Sequence, residues 1–144
     1  MAAPSHARAD AMDKMRLLSP LTVTGSLGIF TRFPFIRAHP TIRAALESVA
    51  RQRRDGFALE HVIVDGGSTD GTVDVVRAYA EEVRRAEAEK GDGESVGRVT
   101  VRWVSEKDRG LYDAINKGIR LATGDVVGLV HSDDVLAEDG TLAK

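Results

Sequence analysis

The chain has 144 residues, 22 acidic side chains against 20 Lys and Arg for a net charge of -2, and no cysteine. That length suits one domain around one core. The charge balance excludes the basic footprint of a nucleic-acid-binding protein, and the missing cysteines exclude disulfide staples, thiolate nucleophiles and sulfur-bound zinc.

In chain order, Met1 to Ser19 has no sustained period and is expected to be a disordered tail, leaving 20–144 as the folded domain. It lacks the apolar middle of a signal peptide, and no later stretch approaches the run of about 20 apolar residues that crosses a bilayer. A soluble, cytoplasmic protein is expected. From Pro20 onward, short β-branched runs alternate with longer helical stretches, which predicts an α/β fold with a mostly parallel sheet. The strands are expected at Leu21 to Thr24, His61 to Asp65, Val99 to Val104 and Asp125 to Val130. The first helix is expected over Thr41 to Arg53, with Pro40 in its opening turn and Ile42, Leu46 and Val49 on one face. The second begins near Thr72, capped by Asp70, and its charged end, Glu81 to Lys90, reads as a solvated face. The third runs from Leu111 to Ala122, burying Leu111, Ile115 and Ile119, with Gly124 as a left-handed cap. The apolar segment Leu27 to Ile36 is expected to offer a contact patch for a second copy or a membrane surface.

In parallel sheets ligands sit beyond the carboxyl ends of the strands, and three polar segments fall there. Val64 to Thr72 reads VDGGSTDGT; its glycines permit a sharp bend near a ligand, and Asp65 can accept a hydrogen bond from a nucleobase N–H. Turn chemistry and helix capping alone account for this segment equally well. Ser105 to Gly118 reads SEKDRGLYDAINKG, where helical spacing puts Tyr112, Asp113 and Asn116 on the inner surface. On its own, this segment is better read with Asp113 complementing the helix dipole, Asn116 exposed, and Lys117 and Arg120 suited to the helix end. Val130 to Val135 reads VHSDDV, and its adjacent carboxylates, Asp133 and Asp134, repel each other unless solvent or a cation intervenes. A hard divalent cation offsets that repulsion. His131 could touch metal or phosphate, but a lone histidine is more often packed or solvent-facing.

These three segments, in this order and separation, resemble the family 2 glycosyltransferases, with SEKDRGLYDAINKGIRLATGD extending the match to Asp125. The resemblance covers about Thr41 to Leu136 and is nearest the branch that builds bacterial polysaccharides. It implies the nucleotide-binding half of a GT-A fold, Rossmann-like and three-layered, that uses Mn2+ or Mg2+ and transfers a sugar with inversion from a nucleotide donor, UDP-sugar favoured, to a glycan or lipid-linked acceptor. Donor binding is then expected from Asp65, Gly67, Ser68, Asp108, Asp113, Asn116 and Asp133, with metal ligation by Asp134 and Asp133 and a lesser contribution from Lys107 or Arg109. The general base is expected beyond Lys144, so the domain reads as incomplete at its carboxyl end and no catalytic residue is named. Departures from the family pattern are Gly66 where many relatives carry a second acid, His131 where Asp or Asn is usual, and the apolar run Gly25 to Arg37. A location at the inner face of the membrane accords with such an acceptor. The alternatives are an inactive nucleotide-binding remnant and an interaction module of the same fold.

Overall fold

The computed structural model describes residues 25–33, 39–91 and 97–143. Four strands, β1 (Gly25–Phe33), β2 (Phe57–Asp65), β3 (Val99–Ser105) and β4 (Val126–His131), alternate with helices α1 (His39–Ala50), α2 (Thr72–Glu89) and α3 (Leu111–Leu121), and a 3-10 turn follows at Thr141–Ala143. The strands form one sheet in the order β3-β2-β1-β4, with every pairing parallel. Successive strands therefore step outward from β1 to β3, and β4 returns to the far side of β1.

β2 is the centre of the packing. All its residues are buried except half-buried Ala58, as expected of a strand covered on both faces. Its alternation sorts the layers. Ile63 packs with Ile42 and Leu46 of α1 and with Val76 and Tyr79 of α2. Val62 and Val64 point the other way, onto Ala114 of α3. The result is three layers, with α1 and α2 on one face of the sheet and α3 on the other. A further cluster of Val49, Phe57, Leu59, Val99 and Val130 joins α1 to β2, β3 and β4.

Several expectations hold and several are corrected. Pro40 does lie in the first turn of α1, and Ile42, Leu46 and Val49 are fully buried. Asp70 accepts hydrogen bonds from the N–H and hydroxyl of Thr72, as a cap should. The first strand is misplaced in the sequence reading. Gly25–Phe33, expected as a loop, is the strand itself, bonded to β2 on one side and β4 on the other. Its backbone is thus engaged in sheet pairing on both sides; Pro34 to Ile36, the tail Met1 to Ser19 and Leu21 to Thr24 lie outside the described residues.

On α3 the buried residues are Ala114 and Gly118, while Leu111 is 39% exposed. Small side chains let the helix approach the sheet, while Ile115, half-buried, packs against the same cluster and Ile119 is half-buried, so the expected apolar stripe holds in part and fails at Leu111. Gly124 does not adopt a left-handed conformation. The helix instead ends on Ala122 in extended geometry, and Glu60 stops it: its Oε2 accepts from the Thr123 N–H at 2.6 Å and hydroxyl at 3.0 Å, while Oε1 pairs with Arg102 at 3.1 Å. This carboxylate is 6% exposed and fully occupied, which is how a central strand tolerates it.

One buried pair makes stability depend on pH. His61 is fully buried in β2, its Nδ1 is 2.8 Å from the Tyr79 hydroxyl, and burial pushes its pKa down to about 3. The unfolded chain binds a proton at ordinary histidine pH that the folded chain refuses, so this contribution is present above about pH 6.5 and is lost as pH falls towards 3, by up to about 1.4 kcal/mol per pH unit. Urea unfolding between pH 7 and 5 should show that loss, and His61→Gln, which keeps a hydrogen-bonding end but cannot titrate, should flatten the slope. An unchanged slope would contradict the assignment.

Candidate functional site

The strand register puts the carboxyl ends in one row. Asp65 pairs with Phe33 on one side and Ser105 on the other, and Arg32 pairs with His131. Asp65 and His131 are therefore two strands apart, roughly 10 Å at ordinary strand spacing. The row straddles β1, where the strand order reverses, the place where open parallel sheets form their ligand crevice.

The first loop is built on Asp65, which is 1% exposed. Its Oδ2 accepts from the N–H groups of Gly67 at 3.1 Å and Ser68 at 2.9 Å and from the Ser105 hydroxyl at 2.6 Å. Its Oδ1 accepts from the Ser68 hydroxyl at 2.5 Å. A carboxylate offers about four acceptor positions, so Asp65 is largely committed to shaping its own loop and joining it to β3. The turn also requires Gly67, whose φ is +88°. Gly66 meets a different need. A Cβ there would lie 2.9 Å from Oδ2 of Asp108, a residue 6% exposed whose Oδ1 accepts from the Gly110 N–H. The absent side chain at position 66 is thus the room that the Asp108 carboxylate occupies.

The second loop is fastened to α3 by Lys117. Its ammonium is 3.0 Å from Glu106 and 3.7 Å from Asp113 and donates to the Lys107 carbonyl at 3.3 Å. Asp113 accepts from the Arg109 N–H at 3.0 Å, and that bond, supported by the positive charge of Lys117, holds its carboxyl below the usual range. It thereby ties the first turn of α3 to the loop that precedes it. Tyr112 is 78% exposed and Asn116 is exposed too, so the side expected to face inward faces solvent. That places both at the rim and not under it.

The third segment leaves β4 at His131 and turns at once. The Asp134 N–H donates to the His131 carbonyl at 3.1 Å, and the His131 N–H donates back to Oδ2 of Asp134 at 3.2 Å. Ser132 is buried beneath the turn, while Asp133 and Asp134 are exposed. No group of three His, Cys, Asp or Glu that could enclose a metal occurs among the described residues. The chain therefore offers a pair of hard oxygen donors with Oδ2 of Asp134 already shared. That set fits a cation whose other positions are filled by diphosphate oxygens and water, as Mg2+ prefers and Mn2+ accepts.

Sequence reasoning missed two residues here. Ser105 was named only as the start of a segment, and its bond to Asp65 depends on strand register. Lys117 was read as complementing the helix end, although its four-residue separation from Asp113 marks an ion pair on one helix face.

Comparison with known proteins agrees with this geometry. The model of "Glycosyl transferase family 2" matches residues 33–144. A "PGL/p-HBAD biosynthesis glycosyltransferase" of Mycobacterium tuberculosis is 37% identical over 111 residues, 77% of this chain and 37% of the relative. An uncharacterised glycosyltransferase of Escherichia coli K12, YibD, is 32% identical over 101 residues, 70% of this chain and 24% of its own. The chain thus spans about a third of the length of such relatives. Among solved structures, the mannosyltransferase PcManGT of Pyrobaculum calidifontis, in complex with GDP-Man and Mn2+, superposes with a TM-score of 0.63 at 27% identity, over 95% of this chain and 38% of that one. TarS of S. aureus in complex with UDP, at 23% identity and a TM-score of 0.54 over 82% of this chain and 30% of that one, shares the fold.

The bonding of Asp65 has a measurable consequence. Asp65→Asn puts an amide NH2 where one oxygen accepts, leaving buried donors without a partner at a cost of about 1 to 3 kcal/mol. Urea unfolding without any nucleotide should register that loss; a variant as stable as the wild type would show that the carboxylate does not hold the loop.

Proposed function

The chain belongs to glycosyl transferase family 2, and on that premise we propose that it forms the donor-binding part of an inverting glycosyltransferase that takes a nucleoside-diphosphate sugar, UDP-sugar favoured, with Mn2+ or Mg2+. The observation that carries this reading is the alignment of three polar loops on one sheet edge across the reversal point between β1 and β4. The nucleobase lies against the loop of Asp65, Gly67 and Ser68 and its neighbour Asp108. The diphosphate lies over the turn of Asp133 and Asp134. Asp113 and Asn116 border the pocket from α3, Asp113 chiefly by fixing the loop that precedes it.

The chemistry divides accordingly. A sugar leaves its nucleotide with negative charge building on the diphosphate, and a divalent cation, when bound, supplies Lewis-acid stabilisation of that charge. Asp133 and Asp134 would hold it by carboxylate oxygens, with Asp134 the principal ligand. Lys107 and Arg109 stand in the β3–α3 loop, where they add positive potential towards the same leaving group. In the inverting reaction, a general base, a role assigned to none of the residues named above, takes the proton of an acceptor hydroxyl as that oxygen bonds to the sugar carbon and the nucleoside diphosphate departs. The acceptor is a glycan or a lipid-linked glycan of a cell-surface polysaccharide, reached from the cytoplasm or the inner face of the membrane. Among the described residues no helix is long and apolar enough to cross that membrane.

Isothermal titration with UDP and with GDP, each with and without Mn2+, tests the reading. Binding should require Mn2+, and Asp134→Ala should weaken it by about tenfold or more, the loss expected when a 1.4 kcal/mol interaction or larger is removed. Metal-independent binding, or equal binding by the variant, would remove the metal assignment. Nucleotide binding without sugar transfer would favour the inactive-remnant reading.

A further inference from the structure

After Asp134 the chain runs to Ala143 with a single 3-10 turn, yet it is tied firmly to one place. The Leu136 N–H donates to the Ser48 hydroxyl at 3.1 Å. Gln52 donates from Nε2 to the Glu138 carbonyl at 2.8 Å and accepts at Oε1 from the Leu142 N–H at 3.1 Å. The Arg53 N–H donates to the Asp139 carbonyl at 2.6 Å. All four bonds go to the carboxyl end of α1 or the residues just past it. Leu136 and Leu142 also pack on the core cluster that contains Val49 and Phe57.

Ser48 and Gln52 are themselves completely enclosed, at 0% and 1% exposure. Each is also secured on its own helix, Ser48 by donating to the Ala45 carbonyl at 2.8 Å and Gln52 by donating to the Ser48 carbonyl at 3.1 Å. Buried polar side chains with several satisfied bonds specify one geometry, because any shift leaves groups unpaired in a dry interior. Leu136, held by one of them, is two residues from Asp134. Metal ligands need their oxygens placed to within about 0.2 Å, and an exposed four-residue turn closed by one backbone hydrogen bond and one from the His131 N–H to the Asp134 carboxylate does not provide that alone.

We propose that Ser48 and Gln52 are positioning residues for the acidic turn: they clamp the segment behind Asp134 to α1 and so fix where the two carboxylates stand. Neither touches the ligand. The reason for such a device lies in the sheet, since β4 can hold the turn only from its amino-terminal side, and the clamp supplies the second anchor. The consequence for metal binding rests on the function proposed above; the clamp itself does not.

The test uses Ser48→Ala, which removes the acceptor for Leu136 together with the bond that Ser48 donates to the Ala45 carbonyl, and Gln52→Leu, which removes the larger anchor. Hydrogen–deuterium exchange of the intact chain should show faster exchange over His131 to Leu142 in both, with α2 unchanged as the internal reference. Titration of Mn2+ with UDP should then weaken by about 10-fold or more for Gln52→Leu, the range seen when the supports of metal ligands are removed. Unchanged exchange in the turn, or acceleration equal to that of α2, would overturn the proposal. So would full Mn2+ and UDP affinity in a variant whose turn has loosened. If the wild type binds no nucleotide, the donor-site reading falls, and the exchange measurement alone decides whether the clamp exists.

Discussion

Burial of β2 on both faces is the constraint from which the rest follows. A strand enclosed by α1 and α2 on one side and α3 on the other has no place for an unsatisfied polar group along its length. Glu60 and His61, the polar residues that do occur within it, are each matched by a dedicated partner, Thr123 with Arg102 for one and Tyr79 for the other. Polar chemistry is thereby driven to the strand tip. There Asp65 is placed by the same pairing that builds the core, and because all four strands run parallel, each neighbouring tip delivers its own loop to the same edge.

The edge is organised by division of labour among its acids. Asp65 and Asp113 spend their oxygens on backbone N–H groups and fix loops, and Asp108 fills the space left open by Gly66. Asp133 and Asp134 are presented outward on a turn. That pair is exposed, whereas Asp65 and Asp108 are buried and Asp113 is half-buried. Acid count alone would have assigned all five the same task.

What could be read in the sequence was whatever depends on local pattern. The continuous apolar run before Asp65, the spacing of Ile42, Leu46 and Val49, and the cap at Asp70 are encoded within a few residues of one another. The first strand was not legible because an apolar run flanked by Pro and Gly suits a strand or a packed loop equally, and pairing with β2 and β4 decides between them. The buried face of α3 was legible only in part for a related reason: Ala114 and Gly118 carry little hydrophobic signal, and their value lies in the close approach they permit. The bonds of Ser48 and Gln52 join residues about 90 positions apart, which no local pattern reports.

Glu60 ties the far end of α3 to the middle of the sheet, and the near end is bound to the β3–α3 loop by the Asp113 hydrogen bond and the ion pair of Lys117 with Glu106. Both ends of this helix are therefore held, and it acts as a strut between the interior of the sheet and the loop that carries Asp108. The placement of a surface loop is in this way inherited from a carboxylate enclosed within the core.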